Sequence, residues 1–133
     1  VHPDPLDPNL IDFSPPERRI YGDDRAQTWH VVDEEDYFYL LQWTWSPKFT
    51  NCRQGKYYLR RSQRLGSAVL TVYLHIEVMR RSGVIPPSSA HILVDHRNGD
   101  STICRRGNLR WATSKLNRQN RYGSHYYGDL ALV

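Results

Sequence analysis

The last third of the chain constrains its fold most. Val94-Asp95-His96-Arg97-Asn98-Gly99-Asp100 is followed by Asn108-Leu109-Arg110-Trp111-Ala112-Thr113, and then by Asn117. Ile92-Leu93-Val94 carries the signal of a buried strand, and Asn98-Gly99 that of a tight turn. Leu109 to Ala112 reads as a second strand. Thr113 or Ser114 can cap a helix that runs to about Arg121, with Gly123 as its stop. The unit is therefore strand, long loop, strand, helix, which is a ββα finger.

This finger holds an acid, a histidine and two asparagines at spacings that can close around one metal ion and one phosphate. Hydrolysis of a phosphodiester needs an activated water, a cation near the developing charge, and help for the leaving oxygen. His96 suits the first task, because a neutral imidazole with a pKa of about 6.5 can take a proton from water near pH 7. Asp95 and Asn117 offer hard oxygen ligands, which favour Mg²⁺ or Mn²⁺ over Zn²⁺. Two protein ligands leave roughly four octahedral positions to water and phosphate. Successive residues of a flat strand face opposite sides. The strand is therefore expected to twist or break at Asp95-His96, so that both reach one phosphate. Asn108 is expected to tie the long loop to the hairpin and hold His96 in place. Cys104 with His91 and His96 fits no common zinc spacing.

Upstream of the finger, residues 1–20 are rich in proline and aspartate and show neither helical nor strand period. They read as an extended arm. Thr28 to Val32 reads as a strand. Asp33-Glu34-Glu35-Asp36 reads as a helix start, with Asp33 as cap and Asp36 at the capping-box position. Tyr37, Leu40 and Leu41 give that helix one apolar face. Trp43 and Trp45 alternate with polar neighbours as in a half-buried strand. Asn51 to Gly55 is turn-like, and Tyr57 to Arg61 and Ala68 to Tyr73 read as further strands. His75 to Ser82 reads as a short helix stopped by Gly83. Pro86 to Ser89 reads as a linker. The fold class expected is α+β: a small β-rich lobe with short helices, then the finger. The boundaries are an arm over 1–28, the lobe over 29–85, a candidate for contacting DNA, the finger over 86–123 and a tail over 124–133.

Charge is unevenly distributed. Residues 1–50 hold 10 acids and 4 bases, whereas residues 51–133 hold 4 acids and 14 bases. A basic second part suggests a polyanionic partner, and arginine favours bidentate phosphate contacts. A merely solvated basic face is the competing reading. Hydrophobic residues make up 39% of the chain, enough for a modest core. No apolar run of about 18 residues occurs, so no membrane span is expected. No signal peptide is visible, which points to the cytoplasm rather than secretion. Cys52 and Cys104 are expected as reduced thiols.

The pattern Asp-His-x-Asn-Gly-Asp, then Asn-Leu-Arg-Trp-Ala-Thr, then Asn-x-x-Asn resembles the HNH endonucleases, most closely their phage and intron-borne branch. Val32 to Tyr37 with a following Trp, and Tyr73-Leu74-His75, look like the β-rich segment that commonly precedes such a finger. The match covers about residues 29–121 and is strongest after Pro86. Ile103-Cys104-Arg105 stands where relatives often carry Asp-Asn-Arg, and Ile76 follows His75 where relatives usually have Arg.

The resemblance implies a ββα-metal finger in which His96 is the general base, Asp95 and Asn117 bind the cation and Asn108 is structural. Asn120 would support the site or touch phosphate. Arg97, Arg105, Arg110, Arg118 and Arg121 are the expected DNA contacts. His75 is either a core histidine or a substrate contact. The expected activity is that of an Mg²⁺- or Mn²⁺-dependent DNA endonuclease, monomeric or homodimeric, nicking one strand per active site. The alternatives are a non-catalytic DNA-binding module on the same scaffold, or an RNA-directed or toxin nuclease.

Overall fold

The computed structural model describes residues 16–49 and 56–120. Most of the Pro-rich arm (1–15), the turn expected from Asn51 to Gly55, Cys52, and everything from Arg121 onward lie outside the described residues. The architecture is α+β. Its elements are β1 (Glu17–Tyr21), β2 (Trp29–Asp33), α1 (Glu34–Leu40), β3 (Ser46–Phe49), β4 (Tyr57–Leu65), β5 (Ala68–Tyr73), α2 (Leu74–Ser82), β6 (Leu93–His96), β7 (Leu109–Ala112) and α3 (Ser114–Gln119). They form three small antiparallel sheets, β1-β2, β3-β4-β5 and β6-β7.

The helices follow local signals. α1 begins on three acids, Glu34, Glu35 and Asp36, where the positive end of the helix dipole favours them. Leu74 and Val78, four residues apart, give α2 its buried stripe. α2 stops at Gly83, whose φ of 74° lies in the left-handed region that side chains disfavour. Thr113 caps α3 as expected, its Oγ1 accepting from the Leu116 N–H at 3.1 Å.

One apolar core joins the sheets. Ile20 and Val32 come from the first, Leu59 from the second, Val94 and Leu109 from the third, with Leu40, Trp45 and Leu74 between them. The long loop after β6 is bonded to β2. The Val31 N–H donates to Thr102 O and the Cys104 N–H to Val31 O, each at 2.8 Å. The finger is therefore docked on the lobe along its loop.

Four expectations change. Residues 17–21 are not an extended arm but strand β1, paired rung by rung with β2 because Ile20 is needed in the core. Trp43 and Trp45 do not lie in a strand. The chain bends there, and the buried Trp45 indole N–H donates to Leu40 O at 2.9 Å. Asp33 occupies the cap position of α1 without capping it. Its carboxylate accepts instead from Arg105 Nε at 2.7 Å and from the Arg106 N–H at 3.0 Å. Asp36 is buried and takes Arg81 and Arg106, so it serves the docking of the finger rather than a capping box. Among the described residues no helix is long and apolar enough to cross a membrane.

Candidate functional site

β6 and β7 pair without a break, Asp95 opposite Arg110 and His96 opposite Leu109. The pairing does not break at Asp95-His96, and strand alternation sets the two side chains on opposite faces of the hairpin.

On the first face the Asp95 carboxylate is 6% exposed. Its Oδ2 accepts from Arg110 Nε at 3.1 Å and from Asn120 Nδ2 at 2.9 Å. Arg110 Nη2 stands 3.0 Å from the same oxygen. Burial pushes the carboxyl above its ordinary value, and the bonds from Asn120 and Arg110 pull against that. Asn120, 1% exposed, also donates to His96 O at 2.9 Å and to Arg97 O at 3.0 Å. One amide thus pins three consecutive residues at the end of β6. Its own Oδ1 is buried without a hydrogen-bond donor.

The two amides of the Asn-x-x-Asn run differ. Asn117 is exposed in α3, and Asn120 at the end of that helix is the one hydrogen-bonded to Asp95. The spacing was legible, since both belong to the Asn-x-x-Asn run. Which one turns inward depends on how α3 crosses the hairpin.

On the second face His96 is 6% exposed, and its Nε2 lies 3.8 Å from the buried Cys104 Sγ. Its ring centroid is 4.9 Å from that of His75 and 6.0 Å from that of Tyr58. Burial first, then the neighbouring His75, His30 and Lys56, drives the imidazole well below its usual range, which holds it neutral. His75 is pushed down to about 4 by burial, with His30 adding to it. His75 is buried and packed against Tyr58, Tyr73 and His96, as in the core-histidine reading. Burial also lowers His30, whose Nδ1 has no partner. Burial raises the Cys104 thiol, and that residue is unbridged.

Asn108 ties the loop as expected, its side chain bonding Asn98 and Ile103 and not His96. Its Oδ1 accepts from the Asn98 N–H at 3.2 Å, and its Nδ2 donates to Asn98 Oδ1 at 3.0 Å and Ile103 O at 2.9 Å. The loop is closed with Ile103 and Cys104 in it, Ile103 O accepting from Asn108 and the Cys104 thiol lying 3.6 Å from Ser101 O.

The arginines divide. Arg105 ends on Asp33 and lies 3.7 Å from Glu17, and Arg110 ends on Asp95, so neither is the open phosphate contact expected of it. Arg97 is half-buried at the loop start, Arg118 is exposed on α3, and Arg121 lies outside the described residues. Sequence reading missed Lys56, whose charge acts on both Asp95 and His96, and Tyr58 beside His96. The available signal was the even spacing of 56 and 58 at the start of β4, which puts both on one side.

The donor set fits a hard cation in kind. Asp95 offers a carboxylate, although Arg110 and Asn120 already bond its Oδ2, and Asn120 offers a buried amide oxygen without a donor. Among the described residues no cluster of three His, Cys, Asp or Glu side chains could hold an ion by itself. No family model, curated protein or solved structure matches this chain.

Proposed function

We propose that the protein is a metal-dependent endonuclease of the HNH kind that nicks DNA. The observation that carries this reading is the meeting of the Asp95 carboxylate and the Asn120 amide at the end of β6, beside a loop locked by Asn108. A bound Mg²⁺ or Mn²⁺ would supply charge stabilisation at the scissile phosphate. Asp95 and Asn120 would hold it, with Asn120 in the role that spacing gave to Asn117. His96 is the candidate to take the proton from the attacking water, and because unbroken β6 sets it on the opposite face from Asp95, this reading requires the end of β6 to turn so that both reach one phosphate. Its Nε2 faces the Cys104 sulfur, so Nδ1 is the nitrogen for that proton. Burial keeps the ring in the unprotonated form a general base requires, and the same burial weakens it as an acceptor. One active site cuts one strand, so a double-strand break requires a homodimer or two visits.

A second reading is favoured by a specific observation. His96 is nearly closed to solvent and Asp95 is already paired with Arg110. That arrangement suits a DNA-binding module on the same scaffold without turnover.

Nicking of supercoiled plasmid with Mg²⁺ or Mn²⁺ decides between them. The nuclease reading expects cutting that EDTA stops, His96→Ala to abolish it with DNA affinity nearly intact, and Asn120→Ala to lose more activity than Asn117→Ala. Full activity in His96→Ala sinks the assignment of the base. DNA binding without cutting under either ion leaves the module. Parallel RNA substrates test the RNA-directed alternative. Binding through several arginines should weaken steeply with salt.

A further inference from the structure

The β4-β5 ribbon outruns its sheet. β3 pairs with Tyr57 to Arg60, whereas β4 and β5 continue together from Arg60 opposite Tyr73 out to Leu65 opposite Ala68. At about 3.4 Å per residue the free part reaches roughly 17 Å beyond the third strand. Every residue from 62 to 71 is exposed, including Leu65 at 54% and Val69 at 59%.

Strand alternation sorts the ribbon into two faces. Arg60, Ser62 and Arg64, with Val69 and Thr71 across from them, share one face. Gln63, Leu65 and Leu70 share the other, which roots in the body where Arg61 lies 3.9 Å over the Trp43 ring. At the base of the first face stand Tyr58 and Tyr73, both in ring contact with His75, and Tyr58 also with His96. The polar face therefore runs from the candidate site out to the tip.

Charge says what this face meets. From Tyr37 to Ile76 the chain has six basic residues and no acid. A two-stranded ribbon, its strands about 4.8 Å apart, fits a DNA major groove about 12 Å wide and 8.5 Å deep. Arginine there can donate to guanine, hydroxyls can pair with either partner, and a valine suits a thymine methyl.

We propose that the β4-β5 ribbon is a reading arm for duplex DNA, laying its Arg60–Ser62–Arg64 face into the groove next to the strand offered to Asp95 and His96. The assignment rests on the nucleic-acid part of the reading above and not on turnover.

Two double variants of the full chain test it by placing the same two charges on adjacent rungs of opposite faces. They are Ser62→Glu with Thr71→Glu, and Gln63→Glu with Leu70→Glu. Thermal unfolding checks that both fold, and fluorescence anisotropy with a labelled mixed-sequence DNA duplex reads affinity. The first variant should bind about tenfold weaker or worse, and the second should stay within about threefold of the parent. A separate Arg64→Ala variant, which folds whatever the double variants do, should weaken binding about fivefold or more and relax base preference.

Equal losses on the two faces, or no loss on either, overturn the arm. So does ribbon-sensitive binding that is tighter for single strands or duplex RNA than for duplex DNA. Loss confined to the first face in a protein that never nicks leaves the arm standing and removes catalysis. Nicking and binding untouched by all these variants does the reverse.

Discussion

The cations of the finger and those of the ribbon live under opposite conditions. In the finger, Arg105 and Arg106 end on Asp33 and Asp36 of the lobe and Arg110 on Asp95, three carboxylates that are all buried, and Arg81 of the lobe shares Asp36. On the ribbon, Arg60 and Arg64 have no ion pair among the described residues, and their stretch of chain has no acid to offer one. The basic excess after residue 50 is thus two quantities. Part of it docks the finger onto the acidic lobe, and part faces outward. Net charge per segment counts both alike, although only the second is open to a polyanion. Internal pairs of this sort orient the parts they join more than they stabilise them, while losing one partner is costly.

The sharpest way to break the comparison is acid, which puts positive charge where the interior already excludes it. His30, His75 and His96 all have folded pKa values below the unfolded value of about 6.5. Their neutral forms fit the fold, so stability is present above pH 6.5 and is lost as pH falls toward the folded value, about 4 for His75. That gap corresponds to roughly 3 kcal/mol for His75, with the other two acting in the same direction. Asp95 works the other way: its raised pKa returns some stability as pH falls through the carboxylate range. Urea midpoints should therefore fall between pH 6.5 and 4, and His75→Gln should flatten the fall. A midpoint that holds steady over this range contradicts the buried cluster.

Next in size is Asp36→Ala, which strips two arginines of a fully buried partner. We expect a loss of about 2–3 kcal/mol, read by urea unfolding, discounted because both guanidinium groups are partly exposed. An unchanged midpoint would mean that the Asp36 pairs add nothing to the hold that Asp33 and the β2 backbone already have on the finger. The smallest effect belongs to Arg64→Ala on the ribbon, which should shift stability by no more than about 0.5 kcal/mol. If it destabilises as much as Asp36→Ala, the contrast between inward and outward arginines fails.

Much of the fold was written in short stretches of chain. The strand–turn–strand–helix order of the finger, the Thr113 cap, the Gly83 stop and the anchoring by Asn108 each depend on a few neighbouring residues, and each is found. Strand β1 was not legible, because Glu17-Arg18-Arg19-Ile20-Tyr21 has one core residue and acquires its conformation from pairing with β2. The roles of Asp33 and Asp36 were misread for a related reason. Helix-start residues are usually caps, and here arginines more than 40 residues away claim both carboxylates.

By itself, then, the chain determined most of the elements, β1 excepted, and brought Asp95, His96 and Asn108 into one hairpin. Only the tertiary structure decided that Asn120 and not Asn117 turns toward Asp95, that His96 lies against His75 and Cys104, and which arginines remain outward. The reason is one of range. Turns, caps and alternation are set by steric and hydrogen-bonding preferences over a few residues. The face a side chain finally meets is set by packing between segments as far apart as Arg106 and Asp36.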